Sequence, residues 1–242
     1  MQLKLDEVEI KPVVKLNPGS ELVLVCDTTF FSWTSGLTVF REPRLKRIIW
    51  WKEVGSETRA VYALGKEQLE KNGFQIKAVV LDGRPGIREM FKGSLVQMCH
   101  FHQKQIVQRY LTNRPKLPAG QELKALVQTL PYSSETELTK KLTDWFSKWS
   151  EFLKEKTTNP DTGKWFYRHK RIRSAYRSLM TNLPYLYTYQ KYPELNIPNT
   201  TNSLDGYFNR LKGLLNVHRG LSPKRRYRMI VEIFKGKGDS RS

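Results

Sequence analysis

Two cysteines in 242 residues leave nothing from which to build a disulfide framework. Stability must therefore come from a packed core, and a reducing compartment is expected, the cytoplasm with nucleoid association. Long apolar runs are missing too. None approaches the ~20 residues that span a bilayer, and no segment pairs a basic face with a clean apolar one, so no membrane partner is expected. The opening residues, MQLKLDEVEIKPVVKL, have no signal-peptide apolar stretch. Acids are scarce: 23 Asp plus Glu stand against 42 Lys plus Arg, a net charge of +19. That excess favours a polyanionic partner, nucleic acid before any other. What is present, 39% apolar and 12% aromatic residues, suffices for a core and excludes global disorder.

Residues 1–20 are charged, are interrupted by Pro12 and Pro18, and read as an N-terminal arm. Residues 21–26 then form an apolar strand that stops at Asp27. Two further strands, 36–40 and 46–53, flank a turn at residues 41–44 and predict an antiparallel meander. Ser56 is the expected N-cap of a helix over 59–72, which Gly73 closes. The stretch AVVLDGRPGIREMFKGSLVQMCHFH, residues 78–102, is the centre of the chain. It holds the end of a strand (75–81), the acid Asp82, a break at Gly83, Pro85 and Gly86, a short helix, and a strand that ends at Cys99. A helix over 102–112 follows.

From 114 to 198 strand signals vanish and apolar residues recur at helical spacing, so this block reads as all-helical, with helices over 135–155 and 165–179. Its densest mixture of cations and aromatics runs from Lys164 to Arg177 without one acid: Lys164, Trp165, Tyr167, Arg168, Lys170, Arg171, Arg173, Tyr176 and Arg177. Such a mixture can hold phosphates and stack bases. A polar loop, 196–203, precedes a helix over 204–215 with Asp205 in its first turn, where the helix dipole alone favours an acid. The basic positions Arg210, Lys212, His218, Arg219, Lys224, Arg225 and Arg226 complete the candidate DNA-contacting set.

The order β-β-β-α-β-α-β-α up to residue 112 matches the ribonuclease-H-like fold. The expected class is α/β, a ribonuclease-H-like mixed five-stranded sheet with an all-helical insertion before the third acid. Its parts would be an arm (1–20), the first part of the core (21–113), the insertion (114–198), the last part of the core (199–235) and a tail (236–242). In that sheet the first and fourth strands are neighbours, so Asp27 and Asp82 would stand side by side. Two such carboxylates repel unless cations neutralise them, and Mg²⁺ or Mn²⁺ with substrate phosphate oxygens would do so.

Asp27-Thr-Thr-Phe, Leu81-Asp82-Gly83-Arg84-Pro85-Gly86, Cys99-His100-Phe101-His102-Gln103, the run from Asn199 to Lys212 and His218-Arg-Gly-Leu-Ser222 together resemble the DDE transposases of bacterial insertion sequences, within the Mutator-like superfamily. The resemblance spans roughly residues 20–235. It implies Mg²⁺-dependent DNA strand cleavage and strand transfer at the ends of a mobile element. It implies Asp27, Asp82 and Asp205 as catalytic metal ligands, double-stranded DNA as substrate and target, and a homo-oligomer as the active form. Cys99 and His102 match the family's Cys-x-x-His motif. They read as support for the acids or as packing before zinc ligands, since a structural zinc site needs four ligands and only Cys26 and His100 stand near in sequence. Two departures stand out. The family's third acid is usually Glu where this chain has Asp205, Glu194 being the nearby alternative, and an N-terminal recognition region is not seen before the first strand. The alternative expectation is therefore a truncated, inactive transposase remnant that binds DNA non-specifically; a structure-selective nuclease on the same fold is a third reading.

Overall fold

The structure, a computed structural model, describes residues 17–33, 35–217 and 220–235. Most of the expected arm, the tail 236–242, and His218 and Arg219 lie outside the described residues. In chain order the elements are β1 (Glu21–Ser32), β2 (Ser35–Glu42), β3 (Arg47–Val54), α1 (Arg59–Lys71), β4 (Gln75–Leu81), α2 (Pro85–Arg88), β5 (Leu95–Met98), α3 (His100–Leu111), α4 (Pro118–Gln128), α5 (Glu135–Lys154), β6 (Lys156–Thr158), β7 (Trp165–Tyr167), α6 (Lys170–Leu186), α7 (Thr188–Lys191), α8 (Asn202–Val217) and α9 (Pro223–Lys235). They fall into a sheet unit, residues up to Val96 together with those from Thr201, and a helical unit, Gln97–Thr200.

The sheet unit is mixed α/β. The five strands lie in the order β3-β2-β1-β4-β5. β1, β2 and β3 form the antiparallel meander, while β1 runs parallel to β4. β1 is central, and its run Leu22 to Cys26 is buried on both faces, as a strand covered on both sides requires. Successive side chains on a strand point to opposite faces, and Trp50 and Trp51 of β3 show it. Trp50 joins the core under α1: its ring lies 4.6 Å from that of Phe40, and its Nε1 donates to Gln68 Oε1 over 2.6 Å. Trp51 receives α9 instead, with Tyr227 and Phe234 at 5.3 and 5.2 Å. Phe40 is the hub, fully buried against Trp50, Tyr62 and Phe91. α1 approaches this hub so closely that a Cβ on Gly65 would lie 2.6 Å from the Phe40 ring. A helix with any side chain there would be pushed off the sheet.

Three boundaries along β1, α1 and β5 differ from expectation. β1 continues to Ser32, so Asp27 lies inside the strand rather than at its end. The parallel ladder with β4 stops at Val25↔Val80, but the antiparallel ladder with β2 runs on to Ser32↔Ser35 and keeps β1 extended. The N-cap of α1 is Thr58, whose side chain accepts from Val61 N, and not Ser56. β5 ends at Met98, which leaves Cys99 as the N-cap of α3.

The helical unit packs α3 to α6 around Val107, Leu123, Leu142, Trp145, Leu179 and their neighbours. A capping box, Ser134 with Glu137, starts α5. Sequence reading set the block's start at 114, yet α3 shares this core through Val107 and Leu111 and belongs to the same unit. The expectation of an all-helical block is corrected by the antiparallel ribbon β6–β7. The helix expected from residue 165 begins at Lys170, and Trp165–Tyr167 is strand. The turn holds the ribbon: Asn159 Oδ1 accepts from Asp161 N (2.8 Å) and Thr162 N (3.2 Å), and Gly163 takes a φ of 64°. Three-residue strands, exposed apart from half-buried Tyr167, bury no alternating face, so periodicity could not reveal them.

Candidate active site and nucleic-acid surfaces

Asp27 and Asp82 come from neighbouring strands. The parallel register pairs Val23 with Ala78, Leu24 with Val79 and Val25 with Val80. Carried two residues on, it sets Asp27 beside Asp82 at the point where β4 has ended and the chain turns through Gly83 (φ 90°). Strand alternation gives Asp27 the face of Val23 and Val25. Both acids are half-buried. Asp27 Oδ1 accepts from Thr28 N over 2.8 Å, and Asp82 Oδ1 accepts from Arg84 N over 3.1 Å.

A polar chain runs from Thr28, the neighbour of Asp27, to Asp82. Thr28 Oγ1 lies 2.8 Å from Thr38 Oγ1 and 3.2 Å from the Tyr62 hydroxyl. Tyr62 donates to Glu57 Oε1 over 2.7 Å, and Glu57 Oε2 lies 2.7 Å from Arg84 Nη1. Arg84 Nε is 3.7 Å from Asp82 Oδ2. Burial pushes the Tyr62 phenol well above its ordinary value, with the charges of Glu57 and then Asp27 adding to it. Burial, then the Asp27 charge, raises the Cys26 thiol in the same way, so Cys26 stays a buried thiol. Sequence reading missed Glu57, Tyr62 and the role of Arg84. Glu57 lies in a turn whose residues carry no motif; the packing of α1 against α2 and β4 makes it a neighbour of Arg84, with its side chain 11% exposed.

Asp205 stands in the first turn of α8, half-buried. α8 contacts β1 and buries a stripe of Leu204, Phe208 and Leu211. The carbonyl of buried Thr201 accepts from Leu204 N and Asp205 N and fixes the start of the helix. α8 is tied to α9 where the Tyr207 hydroxyl donates to Ile233 O over 3.4 Å. Burial raises that phenol to about 12, Arg210 and Arg41 opposing. Among the described residues no three His, Cys, Asp or Glu side chains come together as a group that could hold a metal ion. The register pair Asp27 and Asp82 nevertheless supplies hard oxygen donors of the kind Mg²⁺ takes one or two at a time.

Cys99, His102 and Glu194 belong to the helical unit. Cys99 is fully buried, and Glu194 is exposed in a short 3₁₀ turn, Pro193–Leu195. Cys99 and His102 sit three residues apart at the start of α3, across one helical turn. The residue between them in importance is His100. Its Nε2 donates to Leu186 O over 2.7 Å, while its buried Nδ1 has no partner. Burial lowers its affinity for a proton, the Leu186 carbonyl opposing and Lys104 adding to the fall. The unfolded chain takes up that proton near pH 6.5 and the folded one resists it. The contribution to stability is therefore complete above about pH 6.5 and is lost as pH falls below it. The melting temperature of the helical unit is expected to drop between about pH 7 and pH 5, with a shallower slope in His100→Gln. Equal slopes in the two proteins would show that another group carries the acid sensitivity.

The expected DNA-contacting cations divide into free and committed ones. Lys164, Arg168, Lys170 and Arg177 are exposed, Arg168 lying 3.8 Å from Glu155. Arg171 donates to the carbonyls of Arg109 and Tyr110, where α3 ends. Arg173 donates to Leu153 O and lies over Tyr167 at 3.7 Å from the ring centre. In the sheet unit Arg210 and Arg225 are exposed, Lys212 is half-buried, and Arg226 donates to Ser35 Oγ over 3.4 Å. The Lys224 side chain lies outside what is described. No helix among the described residues is long and apolar enough to cross a membrane. No protein-family model matches the chain, and no curated protein matches it.

Proposed function

We propose that this chain is a DDE-type DNA transposase, which cuts and joins DNA strands by Mg²⁺-dependent phosphoryl transfer on a ribonuclease-H-like core. The observation that carries this reading is the register of β1 and β4, which aligns Asp27 with Asp82 on parallel neighbours in a sheet of order β3-β2-β1-β4-β5. In this reading Asp205, in the first turn of α8, a helix that contacts β1, is the third acid. The net charge of +19 supports a polyanionic substrate.

Asp27 and Asp82 would hold the cation. When bound, the ion lowers the pKa of an attacking water or 3′-hydroxyl and neutralises the leaving oxygen. The protein's own share is positional. Thr28 N and Arg84 N fix one oxygen of each carboxylate, and Glu57 holds Arg84 beside Asp82. Arg210 and Arg225 offer exposed cations to phosphates. In this reading the substrates are double-stranded element ends and a target duplex, the working form is a homo-oligomer, and the protein acts at the nucleoid.

Purified protein with a supercoiled plasmid and Mg²⁺ or Mn²⁺ is expected to yield nicked circles, and EDTA to stop their formation. A second reading, DNA binding without catalysis, has its own support: Arg84 already offers Asp82 a positive charge, and the third acid is Asp where the resembled family has Glu. Duplex binding with no metal-dependent nicking would favour that second reading and overturn the first.

A further inference from the structure

The β6–β7 ribbon arranges its side chains in a way that composition alone does not convey. Lys156 pairs with Tyr167 and Thr158 with Trp165, so Lys156, Thr158, Trp165 and Tyr167 share one face of the ribbon and Phe166 takes the other. On the first face the groups form a ladder. Arg173 lies 3.7 Å from the centre of the Tyr167 ring, the Tyr167 and Trp165 rings meet edge to face at 5.6 Å, and Lys156 Nζ sits 4.1 Å over Trp165. On the other face Lys170 Nζ stands 5.5 Å from Phe166. Trp165 is 59% exposed and Phe166 39%. Core packing therefore does not account for them, unlike Trp145 in the same unit.

Arg173 continues the ladder into a cavity of about 240 Å³ lined by Phe146, Tyr176, Arg177 and Met180. Phe146 and Tyr176 are stacked there at 4.9 Å. Between residues 156 and 177 the chain carries seven Lys and Arg against the single acid Asp161. Exposed rings with a cation on each are unsuited to an apolar partner and matched to a polyanion whose own rings stack.

We propose that this ladder is a stacking platform for unpaired nucleotide bases, with Trp165 receiving a base and Lys156, Lys164 and Arg177 the flanking phosphates. Duplex stacking hides the faces of internal bases, so the platform selects single strands and opened ends. This inference rests on the DNA-acting role proposed above and deepens it: a protein that cuts and joins strands has to hold frayed ends.

The test compares the full chain with Trp165→Ala and Trp165→Phe by fluorescence anisotropy at one fixed salt concentration. The probes are a labelled oligo-dT of about 20 nucleotides and a blunt duplex of the same length. Loss of one stacked base is expected to weaken oligo-dT binding roughly 5- to 150-fold in Trp165→Ala, with duplex binding changed by less than a factor of about two. Trp165→Phe is expected to keep most of the single-strand affinity. Unchanged oligo-dT binding in Trp165→Ala, or an equal loss on both probes, overturns the platform. Wild-type protein that binds duplex but no oligo-dT overturns the platform alone, whereas wild-type protein that binds neither overturns the DNA-acting role with it.

Discussion

Asp82→Asn is expected to lower Mg²⁺-dependent strand cleavage by more than about 100-fold, beyond the loss usual for groups that only support a metal ligand. Asn keeps the shape and one oxygen but carries no charge, so it cannot share a divalent cation with Asp27. The fold should survive. Asp82 follows the last residue of β4, is half-buried, and takes its hydrogen bond from the next turn. Arg84 keeps its closer partner, Glu57, at 2.7 Å. Duplex affinity is expected to stay within a factor of about two, or to rise slightly as a negative charge leaves a basic protein. Cleavage equal to wild type would remove Asp82 from the site and with it the two-acid reading of β1 and β4. The comparison also separates true activity from a contaminating nuclease, which would not respond to the substitution.

Phe40→Ala should have the largest effect on folding. The ring is fully buried, touches Trp50, Tyr62 and Phe91, and fills the space over Gly65. Truncating such a ring costs roughly 3–5 kcal/mol, because the transfer free energy is lost and a cavity remains. At about 2–4 °C per kcal/mol for a chain of this size, the sheet unit should melt roughly 6–20 °C lower. Hydrogen-exchange protection of the β1, β2 and β4 amides reports on that unit directly, which matters because two units need not unfold together. A shift of only a degree or two would mean that α1 and the sheet close over the gap. The consequence would reach the candidate site, because α1 carries Tyr62 and so anchors the chain from Thr28 to Arg84.

Much of the sheet unit is legible in the sequence. The meander, the helix over 59–72 and the strand before Asp82 all announce themselves by local signals: alternation, helical spacing, Gly73 at a helix end, Gly83 and Pro85 after a strand. Asp27 and Asp82 stood out because an acid closing an apolar run is visible within a few residues. The ribbon β6–β7 was invisible because it buries nothing, and its aromatics instead lengthened an expected helix. That α3 joins the helical core is not legible in the sequence, because α3 has the periodicity of any amphipathic helix, and periodicity does not say which core it faces.

The sequence by itself determined the charge, the kinds of element and their order up to residue 112, and which acids and aromatics were available, since these depend only on neighbours along the chain. Tertiary structure alone decided the rest. It set Asp27 within β1, two residues beyond the Val25–Val80 pair as Asp82 is beyond it on the β4 side, linked Thr28, Tyr62, Glu57 and Arg84 into one polar chain, and brought Arg173, Tyr167, Lys156 and Trp165 into one ladder. Each of these depends on which strand or helix lies alongside another, and pairing between distant segments leaves no periodic mark in either segment alone.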